Sequence, residues 1–272
     1  MSSPARSQVA EPLDQTPLRL SLPERIGIGH ASVNKCSFQQ ALYAIIGHAR
    51  AGGPPAYVIT PNAQHVVLLD TDIRLREIYR EADLVVPDGV SLLLAARVFG
   101  DSFPERVPGV ALFENLCGLA AENNLDVFLL GGRPGSADLA AAKLKSLFPK
   151  LKVQTYCPPY GFEKNELELQ RIAAIIALAR PALLFVALGA PKQEYWIYDY
   201  GRKLGATVCL GVGGSFEMVG GVVDRAPRWA QSIGCEWAYR LWKEPRRMWR
   251  RYLIGNLQFA WIVLQQALGI RS

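Results

Sequence analysis

The sequence predicts an α/β fold in which an open, mainly parallel sheet carries helices on both faces. Short apolar runs alternate with stretches of helical pattern through the middle of the chain, which is typical of repeated strand–helix–strand units. The apolar runs are continuous rather than alternating, as expected for strands that are buried on both faces. Glycine or proline follows nearly every predicted strand, so we expect ligands at the carboxyl edge of the sheet.

Each predicted strand is a short, mostly apolar run, and the six runs span residues 56–60, 83–87, 126–130, 151–156, 182–188 and 206–212. The helices predicted between them span residues 63–79, 89–98, 109–123, 136–148, 165–179 and 193–204. Asp72 directly precedes the segment "IRLREIYREA" and is well placed to cap it.

The tripeptide "PDG" follows the second predicted strand and places Asp88 between Pro87 and Gly89. These residues make a turn by themselves, because proline presets its torsion, aspartate bonds its own backbone and glycine takes a positive φ without strain. A plain turn and a functional carboxylate are therefore both compatible with the tripeptide alone.

Three other loops at the same edge contain candidate residues. In "LLGGRPGSAD", Gly131 and Gly132 would let backbone N–H groups approach an anion, although a plain strand-to-helix turn fits equally well. Tyr160 in "PPYGF" is either a base-stacking ring or a loop anchor. Gln193 and Glu194 could simply begin a helix, where an acidic side chain suits the dipole.

No metal site or hydrolase triad is predicted. Asp70 and Asp72 form an Asp-x-Asp pair, but the pair lies inside a helical region, where capping by Asp72 accounts for it. His65 lies near the first loop, while its apolar neighbours favour helix packing. The five cysteines have no paired spacing, which indicates ordinary thiols of a reducing compartment.

Positive charge is concentrated near the C-terminus. Residues 225–252 carry eight cationic side chains against two glutamates, a balance that equals the net charge of +6 of the whole chain. Such a segment attracts phosphate on nucleic acid, on a membrane or on a substrate. Tryptophan and tyrosine lie among the cations and favour the level of lipid headgroups. The apolar run from Leu253 is interrupted by Asn and Gln, so it is predicted to be amphipathic rather than membrane-spanning.

These patterns divide the chain into a flexible lead-in over residues 1–24, an α/β domain over 25–222 and a basic, aromatic-rich appendage over 223–272. The lead-in lacks the apolar core of a signal peptide, which predicts a cytoplasmic segment. Half of the 272 residues are hydrophobic, which excludes a disordered protein.

From about Ile26 to Phe259 the chain resembles the WecG/TagA/CpsF family of bacterial glycosyltransferases (glycosyltransferase family 26). The resemblance is carried by eight ordered motifs: "TPNAQHV", "ADLVVPDGV", "RVPGVALFE", "VFLLGGRPGSA", "PPYGF", "FVALGAPKQEYWI", "CLGVGGSFEMVGGVVDRAPRW" and "EWAYRLWKEPRRMWRRY". It implies a Rossmann-like sheet with a C-terminal helical appendage. It also implies an inverting, metal-independent enzyme that moves a sugar from a UDP-sugar to a saccharide on polyprenyl diphosphate in cell-surface polysaccharide synthesis.

Carried over by position, the resemblance implies that Asp88 is the catalytic base, beside the acceptor hydroxyl and opposite the leaving diphosphate. The expected substrate-binding residues are Thr60, Asn62 and Gln193, the loop residues Gly131, Gly132 and Tyr160, and the arginines Arg240, Arg247 and Arg250. The arginines would offset charge on the diphosphate. No cofactor and no nucleic acid is expected, and the appendage is expected to work peripherally at the inner face of the cytoplasmic membrane.

Two other classes of function remain as alternatives. A nucleotide-dependent dehydrogenase or epimerase would carry G-x-G-x-x-G after the first strand, where "TPNAQHV" stands instead. A non-catalytic module would use only the arginine and tryptophan tail to bind lipid or RNA. Its activities would survive Asp88→Asn.

Overall fold

The computed structural model describes residues 20, 22, 24–224, 226–227, 236–243, 245, 249 and 253–270. The strands in this part of the chain are β1 (Arg25–Ile28), β2 (Ala31–Asn34), β3 (Ala56–Ile59), β4 (Leu84–Val85), β5 (Asp126–Gly131), β6 (Lys152–Tyr156), β7 (Leu183–Ala187) and β8 (Val208–Gly211). The α-helices are α1 (Phe38–Ala51), α2 (Ala63–Thr71), α3 (Ile73–Glu81), α4 (Val90–Val98), α5 (Gly109–Glu122), α6 (Ser136–Leu147), α7 (Glu166–Ala179), α8 (Lys192–Asp199), α9 (Ser215–Val219), α10 (Glu236–Lys243) and α11 (Gly255–Ala267).

Six strands form one parallel sheet in the order β4-β3-β8-β7-β5-β6, and β1 and β2 form a separate antiparallel hairpin. All six predicted strands are present in the sheet. The predicted α/β architecture, with a Rossmann-like parallel sheet and helices at the C-terminus, is therefore confirmed.

The central strands are buried on both faces, which explains their continuous apolar runs. In β7, Leu183 and Phe185 belong to one core, whereas Leu184 and Val186 belong to the other. The first core includes side chains of α1, α5, α6 and α9, and the second includes side chains of α2, α3, α7, α8 and the hairpin. Helices therefore cover both faces of the sheet, as the sequence predicts.

Two predicted helices differ from the structure. The predicted helix over 63–79 is two helices, because Asp72 ends α2 and its Oδ1 accepts a hydrogen bond from Leu75 N (2.9 Å) at the start of α3. The prediction that Asp72 caps this segment is confirmed, and the prediction of one continuous helix is wrong. The predicted helix over 193–204 ends at Asp199 and is followed by a 3₁₀ turn over Gly201–Lys203.

The hairpin and α1 precede the first predicted strand and were not predicted. Helix α1 begins with a capping box in which Gln40 N donates to Ser37 Oγ (3.1 Å) and Ser37 N donates to Gln40 Oε1 (2.8 Å). Ser and Gln at this spacing ahead of an apolar run are a known helix-start signal. The sequence therefore contains the information that predicts α1.

Helix α11 packs against the hairpin and α2. Phe259 and Ile262 are buried, and Gln266 accepts a hydrogen bond from Gly29 N (2.8 Å) and donates one to Gly27 O (3.0 Å). One of the glutamines that interrupts the apolar run therefore anchors this helix to the body of the protein. Trp261 and other apolar side chains on the helix stay exposed. Among the described residues, no helix is long and apolar enough to cross a membrane.

Candidate active site

A cleft of ≈ 1440 Å³ opens at the carboxyl edge of the parallel sheet. Residues that follow β3, β4, β5, β7 and β8 line it, and α4, α9 and α11 add further walls. In a parallel sheet the carboxyl ends of all strands share one edge, so loops far apart in sequence meet there. The loops that contain most of the candidate residues are brought together in this cleft.

Asp88 lines the cleft on a loop that is fixed from two sides. Its backbone N–H donates to Pro61 O (3.0 Å), and Val107 N donates to Pro87 O (2.7 Å). Gly89 has φ −88°, so the expectation of a positive φ at this glycine is wrong. A Cβ there would lie 3.2 Å from Asn62 Cα, closer than most Cβ contacts, so glycine allows the close approach of the two loops.

Thr60 and Asn62 line the same cleft on the loop after β3. Thr60 is nearly buried, and its Oγ1 donates to Gly211 O (3.4 Å) at the end of β8. Asn62 caps α2, with its Oδ1 accepting a hydrogen bond from Gln64 N (3.0 Å). Both side chains are held in place by the protein before any ligand binds.

Gln193 also lines the cleft, but its amide is engaged within the protein. Its Oε1 accepts a hydrogen bond from Gly213 N (2.9 Å), and its Nε2 donates to Glu194 Oε1 (2.9 Å). A Cβ on Gly211 would lie 2.7 Å from Gln193 Nε2. Gln193 therefore positions the glycine-rich loop after β8.

The glycine turn after β5 does not form the anion cradle that its sequence suggests. Gly132 N donates to Ala187 O (2.8 Å), and Arg133 N donates to Glu217 Oε1 (2.9 Å), so protein acceptors occupy both N–H groups. Gly132 lines the cleft, whereas Gly131 packs against the end of β7 and is not among the lining residues. The plain-turn alternative fits this geometry better.

Gly131→Ala is expected to lower the free energy of unfolding by roughly 2 kcal/mol. Gly131 has φ +93°, and a Cβ there would lie 2.9 Å from the backbone oxygen of Ala187. Urea unfolding would measure the loss. Gly47→Ala in α1 is the matched control, because no atom lies within 4 Å of its Cβ position. This control should gain roughly 0.5–1 kcal/mol, and equal effects of the two changes would contradict the argument.

Tyr160 lies at the cleft and its side chain is fully exposed (101%). A ring with this exposure anchors no loop, so the loop-anchor alternative is excluded. The ammonium group of Lys192 lies 5.5 Å from the ring centroid. The other face of the ring is available for stacking on a planar ligand.

Sequence reasoning missed five charged residues that line the cleft: Arg106, Arg133, Glu217, Asp224 and Lys243. Glu217 is 9% exposed, and its Oε2 has no hydrogen-bond partner among the described residues. Glu217 lies in the first turn of α9, and Arg106 lies in the loop before α5. An acid directly after the glycine-rich end of the last strand was the signal for Glu217.

The three candidate arginines cannot be placed at the cleft from the described side chains. Arg240 lies in α10, beside the cleft-lining residues Tyr239 and Lys243, but its side chain is outside the described part. Arg247 and Arg250 are outside the described residues altogether. The described residues contain no group of three His, Cys, Asp or Glu side chains that could hold a metal ion.

The wall of the cleft formed by α4 and α11 is apolar. Leu94 and Val98 of α4 face the cleft together with Val263 and Leu264 of α11, and Leu94, Val98 and Leu264 are about half exposed. The cleft thus combines a polar part at the strand ends with an apolar part between two helices. This combination suits a ligand that carries both polar and apolar groups.

A buried polar cluster borders the polar part of the cleft, and one of its members, His65, lines the cleft. It contains His65 and Glu194, which are 5% and 1% exposed, and the phenols of Tyr57 and Tyr79. Burial raises the pKa of both tyrosines well above the ordinary value, and the Glu194 carboxyl adds to the rise. The phenols therefore stay protonated in the fold.

We expect the free energy of unfolding to fall as the pH rises above about 10, because the tyrosines then ionise in the unfolded chain while Tyr57 and Tyr79 stay protonated in the fold. The loss should be about 1.4 kcal/mol per pH unit for each buried tyrosine. Tyr79→Phe should flatten this slope in urea unfolding at alkaline pH. Tyr43→Phe, which removes an exposed phenol, is the matched control. A slope that is the same in wild type and Tyr79→Phe would contradict the prediction.

The model of the family described as Glycosyl transferase WecG/TagA/CpsF matches residues 26–272. Similar curated proteins are N-acetylglucosaminyldiphosphoundecaprenol N-acetyl-beta-D-mannosaminyltransferases. That of Bacillus subtilis (strain 168) is 30% identical over 195 residues, 72% of this chain and 73% of that protein. That of Bacillus spizizenii is 31% identical over 198 residues (73% and 75%), and that of Staphylococcus aureus (strain MW2) is 29% identical over 194 residues (71% and 74%).

Proposed function

This chain belongs to the WecG/TagA/CpsF family and is a glycosyltransferase, and we propose that it moves a sugar from a UDP-sugar to a saccharide on polyprenyl diphosphate, with inversion and without a metal ion. The observation that carries this proposal is the position of Asp88 in a cleft that is polar on one side and apolar on the other. The names of the relatives specify a diphosphoundecaprenol acceptor. We propose the same class of acceptor and a role in cell-surface polymer synthesis.

Asp88 is proposed to be the general base. Inversion in a single displacement needs a proton acceptor beside the attacking hydroxyl, on the face of the donor sugar opposite the leaving diphosphate. The hydrogen bonds of the flanking backbone hold the loop of Asp88 at the strand ends. A base on a rigid loop keeps its geometry through the reaction, which favours catalysis.

The polar part of the cleft is proposed to bind the nucleotide sugar. The carboxyl group of Glu217 lines the cleft, where it would favour hydroxyl groups and repel a diphosphate. Tyr160 offers an exposed ring for stacking on the base. Glu217 and Tyr160 therefore favour the nucleoside at their end of the cleft, and the diphosphate at a distance from Glu217.

The departing UDP develops negative charge that must be offset. We propose that Arg240, Arg247 and Arg250 supply this positive charge. Arg106 and Arg133 line the described part of the cleft and would contribute to the same field. Guanidinium groups suit this task because they stay charged and bind phosphate oxygens in pairs.

The apolar wall between α4 and α11 is proposed to take the first isoprene units of the acceptor. On α11 the exposed apolar side chains include Leu257, Trp261 and Leu264. The basic and aromatic residues of the appendage would contact anionic headgroups next to this surface. We therefore propose peripheral attachment to the inner face of the cytoplasmic membrane.

The test is transfer from a panel of UDP-sugars to N-acetylglucosamine on a short polyprenyl diphosphate, with product detection by mass spectrometry. An α-linked donor should give a β-linked product by NMR, at a rate that EDTA leaves unchanged. An α-linked product would overturn inversion, and loss of transfer in EDTA would overturn metal independence. Binding of acceptor or RNA without transfer from any donor would favour the non-catalytic module.

A further inference from the structure

We propose that Glu194 and His65 form a buried positioning pair that holds the loops of Asn62 and Gln193 in place around the catalytic centre. The inference rests on the proposed function, because positioning matters only if sugar transfer occurs in this cleft. Glu194 does not line the cleft, so it acts through its neighbours rather than on a substrate.

Glu194 lies in the first turn of α8 and is 1% exposed. An acid that served only the helix dipole could remain in water, whereas a buried carboxyl group loses its hydration and needs partners. Its Oε1 accepts a hydrogen bond from Gln193 Nε2 (2.9 Å) and lies 3.6 Å from His65 Nε2. His65 Nε2 and Glu194 Oε2 are both buried without a hydrogen-bond partner among the described residues, so each side chain can supply the contact that the other lacks.

The contacts of the other ring nitrogen, Nδ1, indicate which nitrogen of His65 carries the proton. Nδ1 faces a donor, Asn62 N (3.3 Å), in the capping box of α2 and an acceptor, Asn62 Oδ1 (3.2 Å). Because that oxygen already accepts a hydrogen bond from Gln64 N (3.0 Å), the backbone donor favours an unprotonated Nδ1. A neutral ring then carries its proton on Nε2, which is the nitrogen that faces Glu194. The acceptor at Glu194 and the donor at Asn62 therefore favour the same tautomer.

Through these contacts the pair reaches four loops of the cleft. On the His65 side, the Asn62 loop contacts Gly89 and its Pro61 O accepts the hydrogen bond from Asp88 N. On the Glu194 side, Gln193 holds Gly213 N after β8. A shift of Glu194 would therefore be transmitted to both the proposed base and the glycine-rich wall.

The tautomer of His65 is measured by imidazole ¹⁵N NMR on the wild-type protein. The chain has three histidines, and His65→Gln assigns the signal. The proposal expects a proton on Nε2 and none on Nδ1 at neutral pH. A proton on Nδ1, whether in the other neutral tautomer or in a doubly protonated ring, overturns the proposal.

Two substitutions separate positioning from packing. Glu194→Met keeps the length of the side chain but removes the acceptor, so we expect kcat to fall about 10²-fold and the Nε2 tautomer to lose its preference. Glu194→Gln keeps an oxygen acceptor and should retain most of the activity and the Nε2 tautomer. Asp199→Asn is the matched control, because it removes a partly exposed carboxylate from the same helix, where Asp199 pairs with Arg74 outside the cleft.

Wild-type kcat in folded Glu194→Met overturns the proposal, and so does an equal loss of kcat in the Met and Gln variants. If Glu194→Met does not fold, the proposal is tested by the other two measurements. A proton on Nε2 in the wild type and retained activity in Glu194→Gln support it, and a proton on Nδ1 or loss of activity in Glu194→Gln overturns it. If the wild type transfers no sugar, the proposed function fails, while the tautomer measurement still decides whether the buried pair exists.

Discussion

Asp88→Asn is expected to lower kcat for sugar transfer by about 10²–10⁴-fold, which is the range for loss of a general base. Asparagine has nearly the same shape as aspartate but cannot accept the proton of the attacking hydroxyl. The backbone hydrogen bonds that fix this loop do not involve the side chain, so the loop should keep its conformation. The measurements are steady-state transfer to the lipid-linked acceptor and calorimetric binding of UDP-sugar, whose affinity should stay near that of wild type.

Asp101→Asn is the control for this prediction, because Asp101 is a surface carboxylate that pairs with Lys35 outside the cleft. It should retain full transfer. A wild-type rate in Asp88→Asn would rule out Asp88 as the base. Loss of UDP-sugar binding together with transfer would indicate that the side chain at position 88 maintains the cleft instead.

The double substitution Arg247→Gln and Arg250→Gln is expected to lower kcat by at least about 10²-fold, as for the removal of groups that stabilise charge in a transition state. Both arginines lie outside the described residues, so this prediction rests on the charge pattern and the family resemblance. Glutamine keeps hydrogen-bonding capacity but carries no charge to offset the departing diphosphate. Transfer is measured with and without EDTA, and wild-type transfer should not respond to the chelator.

Arg50→Gln is the matched control, because it removes one exposed cation at the end of α1, away from the cleft. Its transfer rate should equal that of wild type. A double variant with wild-type kcat would contradict the role of the arginines. Loss of sugar transfer in EDTA would indicate that a metal ion, rather than the arginines, offsets the charge of the departing diphosphate.

The sequence was sufficient to predict the parallel sheet and the edge at which the cleft opens. Strands such as β7 are buried on both faces, and burial on both faces leaves a continuous apolar run that can be read without coordinates. The position of Asp88 follows from the same reasoning, since it comes directly after a strand. The hairpin β1–β2 was missed because exposed residues interrupt the burial of both strands, so that they leave no continuous apolar run.

Local sequence by itself determined which residues form the strands, the caps and the loops at the sheet edge, because those features depend on neighbours within a few positions. Only the tertiary structure decided what each loop atom does. In sequence, the glycine turn after β5 resembles an anion site. In the fold, Glu217, which is 84 residues away from Arg133, accepts a hydrogen bond from the Arg133 N–H. Gln193 is 20 residues from the Gly213 N–H that it holds. A polar atom forms hydrogen bonds with groups that the fold brings within about 3 Å. Such groups can lie at any separation along the chain, so the sequence alone does not identify them.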